Sequence, residues 1–194
     1  MKIEEMNEIA KSDFVEHRDT FQKISNADLE LLSKAAKLVA DCHRNGGRIF
    51  TAGNGGSAAD AQHFASELRE NSINAESLTT NTSYLLAIGN DYGFNSIFSR
   101  QVTHLGKEGD VLCVYTISGT SPNILAAVEE AKKKNMKIIV FTSRRESASS
   151  ISDSSDISIR SPSSDMQRCQ EYHEFAYHTI WHLVMKEFDI KYHK

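Results

Sequence analysis

Proline and cysteine are scarce in this chain of 194 residues: two prolines, Pro122 and Pro162, and three cysteines, Cys42, Cys113 and Cys169. So few prolines leave long stretches free to be helical. The cysteines are scattered, odd in number and without a CxxC pair, so neither a disulfide framework nor a zinc ribbon is indicated. Cys113 lies in the apolar run DVLCVYT and reads as a buried strand residue. None of the three has the electropositive setting that a reactive thiolate needs. Basic runs are lacking too, and with a net charge of −4 there is no electrostatic footprint for nucleic acid. No apolar stretch is long enough to span a bilayer. The amino terminus, MKIEEMNEIAKSDFVEH, has no signal-peptide pattern, and the expected address is the cytoplasm.

What is present suits one globular domain over residues 1–194, with enough apolar residues to bury a core without staples. Ile3, Met6, Ile9 and Phe14 are spaced for a first helix within residues 1–20. A stronger helix is expected in SNADLELLSKAAKLVADCHRNGG: Ser25 or Asn26 can cap it, and Leu29, Leu32, Ala35, Ala36 and Val39 form its stripe. Gly46 and Gly47 end it. From residue 46 strand and helix alternate. RIFTA, DVLCVYT, KIIVFTS and DISIRS read as strands, the second and third apolar enough to be buried on both faces. SPNILAAVEEAKKKN and a long segment from Asp165 to Phe188 read as helices. This alternation predicts an α/β fold, a doubly wound parallel sheet flanked by helices, with a long carboxyl-terminal helix.

Two loops repeat one plan of apolar strand, small-residue turn and helix. The first, TAGNGGSAADAQHFASE, carries Gly53, Gly55 and Ala58 in GxGxxG/A spacing ahead of a helix, where backbone N–H groups favour an anion. The acidic ribose contact expected about twenty residues on is missing, since Glu76 ends no apolar run, and no GK[ST] follows. The bland alternative is a tight turn without a ligand. The second loop, TISGTSPN, offers Thr116, Ser118, Thr120 and Ser121 around Gly119. Those hydroxyls can ring a phosphate monoester or simply cap a helix. In an open parallel sheet both loops lie at the strand ends where ligands bind.

His63 and Glu67, four residues apart, share a helix face and can form a proton relay or half a metal site. Gln170, Glu171, His173, His178 and His182 fall on the last helix. Gln170 and His178 are separated by about 12 Å along its axis. A common metal would need a bent helix or residues from different subunits. The bland reading, an amphipathic helix with solvated histidines, suits His182 and extends to His173.

Taken together, AGNGGSAADAQHFASEL, LAIGNDYGF, SGTSPN and CQEYHEFAYH closely resemble the phosphoheptose isomerases of the sugar isomerase (SIS) domain family, over residues 26 to 188. The resemblance implies a flavodoxin-like sheet and interconversion of sedoheptulose 7-phosphate with a glycero-manno-heptose 7-phosphate through an enediol(ate), serving bacterial surface polysaccharides. It implies a homotetramer with active sites at subunit interfaces and the helices of residues 1–45 used in assembly. By position, Glu67 is the general base and His178 its acid/base partner, while His63, Glu67, Gln170 and His178 match the zinc-holding positions. Ser57, Ser118 and Ser121 match phosphate donors, with Thr116 in place of a serine. Asn54 matches a sugar contact, and Gly55, Gly56, Asn90, Asp91 and Gln170 complete the implied substrate contacts. The chain departs from the family pattern at Asn71, Asn81, Ile117 and the turn SRRESASS, which touch the substrate cradle more than the catalytic pair. A related non-catalytic regulator of the same fold, which binds a replication initiator, lacks the glutamate and last histidine that Glu67 and His178 supply here.

Overall fold

The computed structural model describes residues 1–191. Five strands, β1 (Ile49–Gly53), β2 (Ala75–Ser77), β3 (Val111–Tyr115), β4 (Lys137–Ser143) and β5 (Ile157–Ser161), form one sheet in the order β2-β1-β3-β4-β5. Every pairing is parallel. The alternation of strand and helix therefore winds as expected, and β1 is the point at which the winding changes direction.

The helices divide between the faces of the sheet. On one side lie α1 (Ile3–Gln22), α2 (Asn26–Arg44), α3 (Gly56–Glu70) and the last helix. On the other lie α4 (Thr82–Tyr92), α5 (Ser99–Leu105) and α6 (Pro122–Lys133), with the short α7 (Ser149–Asp153) behind β4 and β5. The final helix, α8, runs unbroken from Met166 to Glu187. Side-chain alternation explains the continuous apolar strands. Val111, Cys113 and Tyr115 enter the core under α2, α3 and α8, whereas Leu112 and Val114 enter the core under α5 and α6. Ile139 and Phe141 against Ile138 and Val140 repeat the pattern in β4.

Local chemistry fixes the ends of the elements. Ser25, rather than Asn26, caps α2: its hydroxyl accepts from Asp28 N–H at 3.3 Å, and the Asp28 carboxylate accepts from Ser25 N–H at 2.9 Å. Pro122 occupies the first turn of α6, where its missing N–H costs nothing. β2 answers to no apolar run in the sequence. It is a three-residue edge strand, and its Glu76 pairs with Arg48 at 3.2 Å. That carboxylate is committed within the sheet and does not stand at a ribose-binding strand tip. Cys42, Cys113 and Cys169 are all buried thiols, and burial pushes the Cys42 thiol up to about 11.

Candidate active site

Gly53 and Tyr115 are register partners at the carboxyl ends of β1 and β3, so the two small-residue loops open side by side. This is the switch point of the sheet, where open α/β folds take ligands. The loops are joined by a reciprocal amide pair: Asn54 Nδ2 donates to Asn123 Oδ1 at 2.9 Å, and Asn123 Nδ2 donates to Asn54 Oδ1 at 2.8 Å. A cavity of about 260 Å³ lies against them, lined by Asn54, Ser57, Thr116, Ser118, Ser121 and Arg145 among others. A larger hollow, about 770 Å³, surrounds the Lys137–Asp156 ion pair at the start of β4. It lies at the wrong end of the strands to share the chemistry of the loops.

The first loop ends in α3, whose amino terminus has no side-chain cap and leaves its N–H groups for an anion. The Gln170 amide from α8 lies over Gly56, in the space that a Cβ there would take. In the second loop the hydroxyls divide into two groups. Thr116 is buried, and its hydroxyl accepts from Gly119 N–H at 3.2 Å, so it holds the turn. Ser121 precedes α6 without capping it, and Ser118 is half-buried at the cavity wall. Asn90 and Asp91 are exposed, bonded to each other at 2.8 Å, and do not line this cavity.

Further along α3, the polar residues meet those of α8. His63 Nε2 lies 3.2 Å from Glu67 Oε1, and His63 Nδ1 lies 2.8 Å from Tyr177 Oη. The rings of His63 and His178 are 5.0 Å apart, edge to face. Among the described residues, His63, Glu174 and His178 bring one ligand atom each to within 4.8 Å of one another. One copy of the chain assembles the expected ligand set only in part. His63 and His178 converge, but the carboxylate in their group is Glu174. Glu67 contacts His63, and the Gln170 amide lies over Gly56. The reason is the unbroken α8, which separates Gln170 from His178 by about 12 Å of rise in one copy. Glu174 was missed in the sequence although it lies one turn before His178 and so on its face.

Buried polar groups flank the cluster. Asp60, one turn before His63, has a buried Oδ2 without a hydrogen-bond partner; burial and then the charge of Glu174 push its pKa up to about 7. His173 is fully buried rather than solvated. Its Nε2–H donates to Thr142 O at 2.9 Å, and burial lowers its pKa to about 4, keeping it neutral. It braces α8 against β4 and takes no part in the cluster.

Comparison with known proteins agrees with this fold. A family profile described as SIS domain matches residues 14–143. The phosphoheptose isomerase of Burkholderia pseudomallei (strain K96243) is 46% identical over 167 residues, covering 81% of this chain and 84% of that protein. That of Aliarcobacter butzleri (strain RM4018) is 39% identical over 181 residues, covering 90% and 95%. The solved structure of phosphoheptose isomerase GmhA from Neisseria gonorrhoeae superposes with a TM-score of 0.88 at 38% identity, covering 93% of this chain and 99% of that one.

Proposed function

Since the chain belongs to the phosphoheptose isomerases of the SIS domain family, we propose that it interconverts sedoheptulose 7-phosphate and D-glycero-D-manno-heptose 7-phosphate. The observation that carries this reading is the meeting of α3 and α8: an anion cradle at the start of α3 and a carboxylate–imidazole cluster further along it. An open-chain heptose 7-phosphate has the same polarity, with its phosphate at one end and its reacting carbons at the other.

In this mechanism Glu67 removes the proton from the carbon next to the carbonyl and returns it to the neighbouring carbon. His178 donates to the carbonyl oxygen as charge develops and recovers that proton from the adjoining hydroxyl. Between the two transfers the substrate is an enediol(ate), so the exchange of aldose for ketose balances without an external oxidant. Asn54, Gly55 and Gly56 orient the sugar, joined by Gln170 above the loop. Ser57, Ser118 and Ser121 hold the phosphate with the free N–H groups of α3. Thr116 serves by shaping the loop, and Asn90 and Asp91 would act only across a subunit boundary.

Two imidazoles and a carboxylate with ligand atoms this close fit a zinc-class cation. His63, Glu174 and one ring nitrogen of His178 would hold it, leaving the other His178 nitrogen to carry the proton, and when bound it would supply Lewis-acid stabilisation of negative charge on substrate oxygens. With its proton on Nε2, His63 donates to Glu67 Oε1 and accepts from the Tyr177 hydroxyl at Nδ1; holding a cation through Nε2 would need that proton moved to Nδ1, with Tyr177 then accepting. The assembly is a homotetramer with interfacial sites. No helix among the described residues is long and apolar enough to cross a membrane, and a cytoplasmic enzyme supplying heptose for surface polysaccharide is consistent with that.

The test is interconversion itself, followed by NMR as solvent exchange at C1 and C2 over a panel of five- to seven-carbon sugar phosphates. Wild-type protein is expected to prefer the seven-carbon pair. Glu67→Gln should lower kcat by roughly 10²- to 10⁴-fold without loss of fold. Wild-type protein inert on every sugar phosphate, with or without zinc, overturns the reading.

A further inference from the structure

We propose that Arg145 is the cation that makes the cavity selective for a phosphorylated sugar, an inference that rests on the isomerase reading above. Among the residues lining the cavity, Arg145 alone carries a charge; the rest offer hydroxyls, amides and apolar surface. Neutral donors can ring an anion, but a phosphate dianion taken from water is held far better with a guanidinium in its shell.

The backbone of this segment is built to deliver that side chain. The turn after β4 is sewn to the second loop on both sides of Arg145. Ser143 Oγ donates to Ile117 O at 2.8 Å, and Ser147 Oγ donates to Ser118 O at 2.7 Å. From the opposite side, Arg160 Nη2 donates to Arg145 O at 3.3 Å. Gly119 is pressed against Ala148 so closely that a Cβ there would overlap the Ala148 backbone. The position of Arg145 relative to Ser118 and Ser121 is therefore set by the loop that supplies those hydroxyls.

The adjacent arginine supplies the contrast. Arg144 Nη2 sits 2.8 and 2.9 Å from the two oxygens of Asp28, so its charge is satisfied at the start of α2. Arg145 instead directs Nε and Nη2 to one carbonyl, Ser164 O, which is neutral. Of five guanidinium N–H donors, this contact leaves the Nη1 pair and one Nη2 hydrogen for an anion. The carbonyl holds the fork in place without cancelling its charge.

The experiment titrates inorganic phosphate into the wild-type protein and into Arg145→Gln, Arg145→Lys and Arg144→Gln by calorimetry, and measures KM and kcat on sedoheptulose 7-phosphate. Arg145→Gln should weaken phosphate binding roughly 10- to 100-fold, as expected for a charged hydrogen bond. The loss should appear in KM rather than kcat. Arg145→Lys should recover part of the affinity, because charge survives without the fork. Arg144→Gln should bind phosphate as the wild type does. Unchanged phosphate affinity in Arg145→Gln, or an equal loss in Arg144→Gln, overturns the proposal. Phosphate selectivity that follows Arg145 in a protein with no isomerase activity would sustain this inference and remove the function instead.

Discussion

The proposed function gives Glu174 and Glu67 different tasks, one at a metal and one in proton transfer. Glu174 shares the convergence of His63 and His178, while the Glu67 carboxylate contacts His63, and the proposed mechanism gives it the proton transfer. Removing each should therefore separate metal from chemistry. In competition with a chromophoric chelator, Glu174→Gln is expected to weaken zinc binding at least tenfold, the lower end for disturbing the shell around a metal. Glu67→Gln should keep the metal and lose turnover. Zinc retained by Glu174→Gln but lost by Glu67→Gln would reverse the assignment. At this scale the sequence was partly legible. The pair His63 and Glu67 can be read from its spacing, because four residues make one turn. Arg145 could not be found that way, since it reaches the cavity only through a turn docked by Ser143 and Ser147. His173 looked solvated because neighbouring histidines share its pattern; only the packing of α8 on β4 shows it buried.

Among the elements, the two loops pack as one unit with the turn after β4, and Gly119 is where the second loop meets that turn. Its φ of +71° and its contact with Ala148 both exclude a side chain. Gly119→Ala should cost about 2–4 kcal/mol from left-handed strain and overpacking combined. Urea unfolding would read that loss, and phosphate affinity should fall with it as the loop lifts from the turn. A variant as stable as wild type would mean that the loop is free to relax. Elements were legible where one physical signal dominated. β3 and β4 announce themselves because burial on both faces leaves no polar alternation, and α2 because cap and stripe agree. Between residues 71 and 109 no element was assigned. β2 is too short to form a run, and α4 leaves Leu86 exposed, which blurs any stripe.

For the whole molecule, α1 carries the clearest unmet requirement. It is tied to α8 through His17 and Glu171 at 2.7 Å and through Phe21 against Phe175, yet Ile3, Met6, Ile9 and Phe14 remain exposed. With Phe14 65% exposed, this face supports burial against further copies of the chain. Light scattering should give a four-chain mass for the wild type, and Ile9→Asp with Phe14→Asp should shift it to smaller species. A wild-type monomer with full activity would dismiss interfacial sites. The sheet also has a consequence for substrate choice. The mutual Asn54–Asn123 amide pair spans β1 and β3 at their ends, so the gap between the loops is gauged by hydrogen bonds rather than by pliant packing. A ligand entering between the two loops therefore meets an opening whose width is set by directional bonds, not by side chains that can yield.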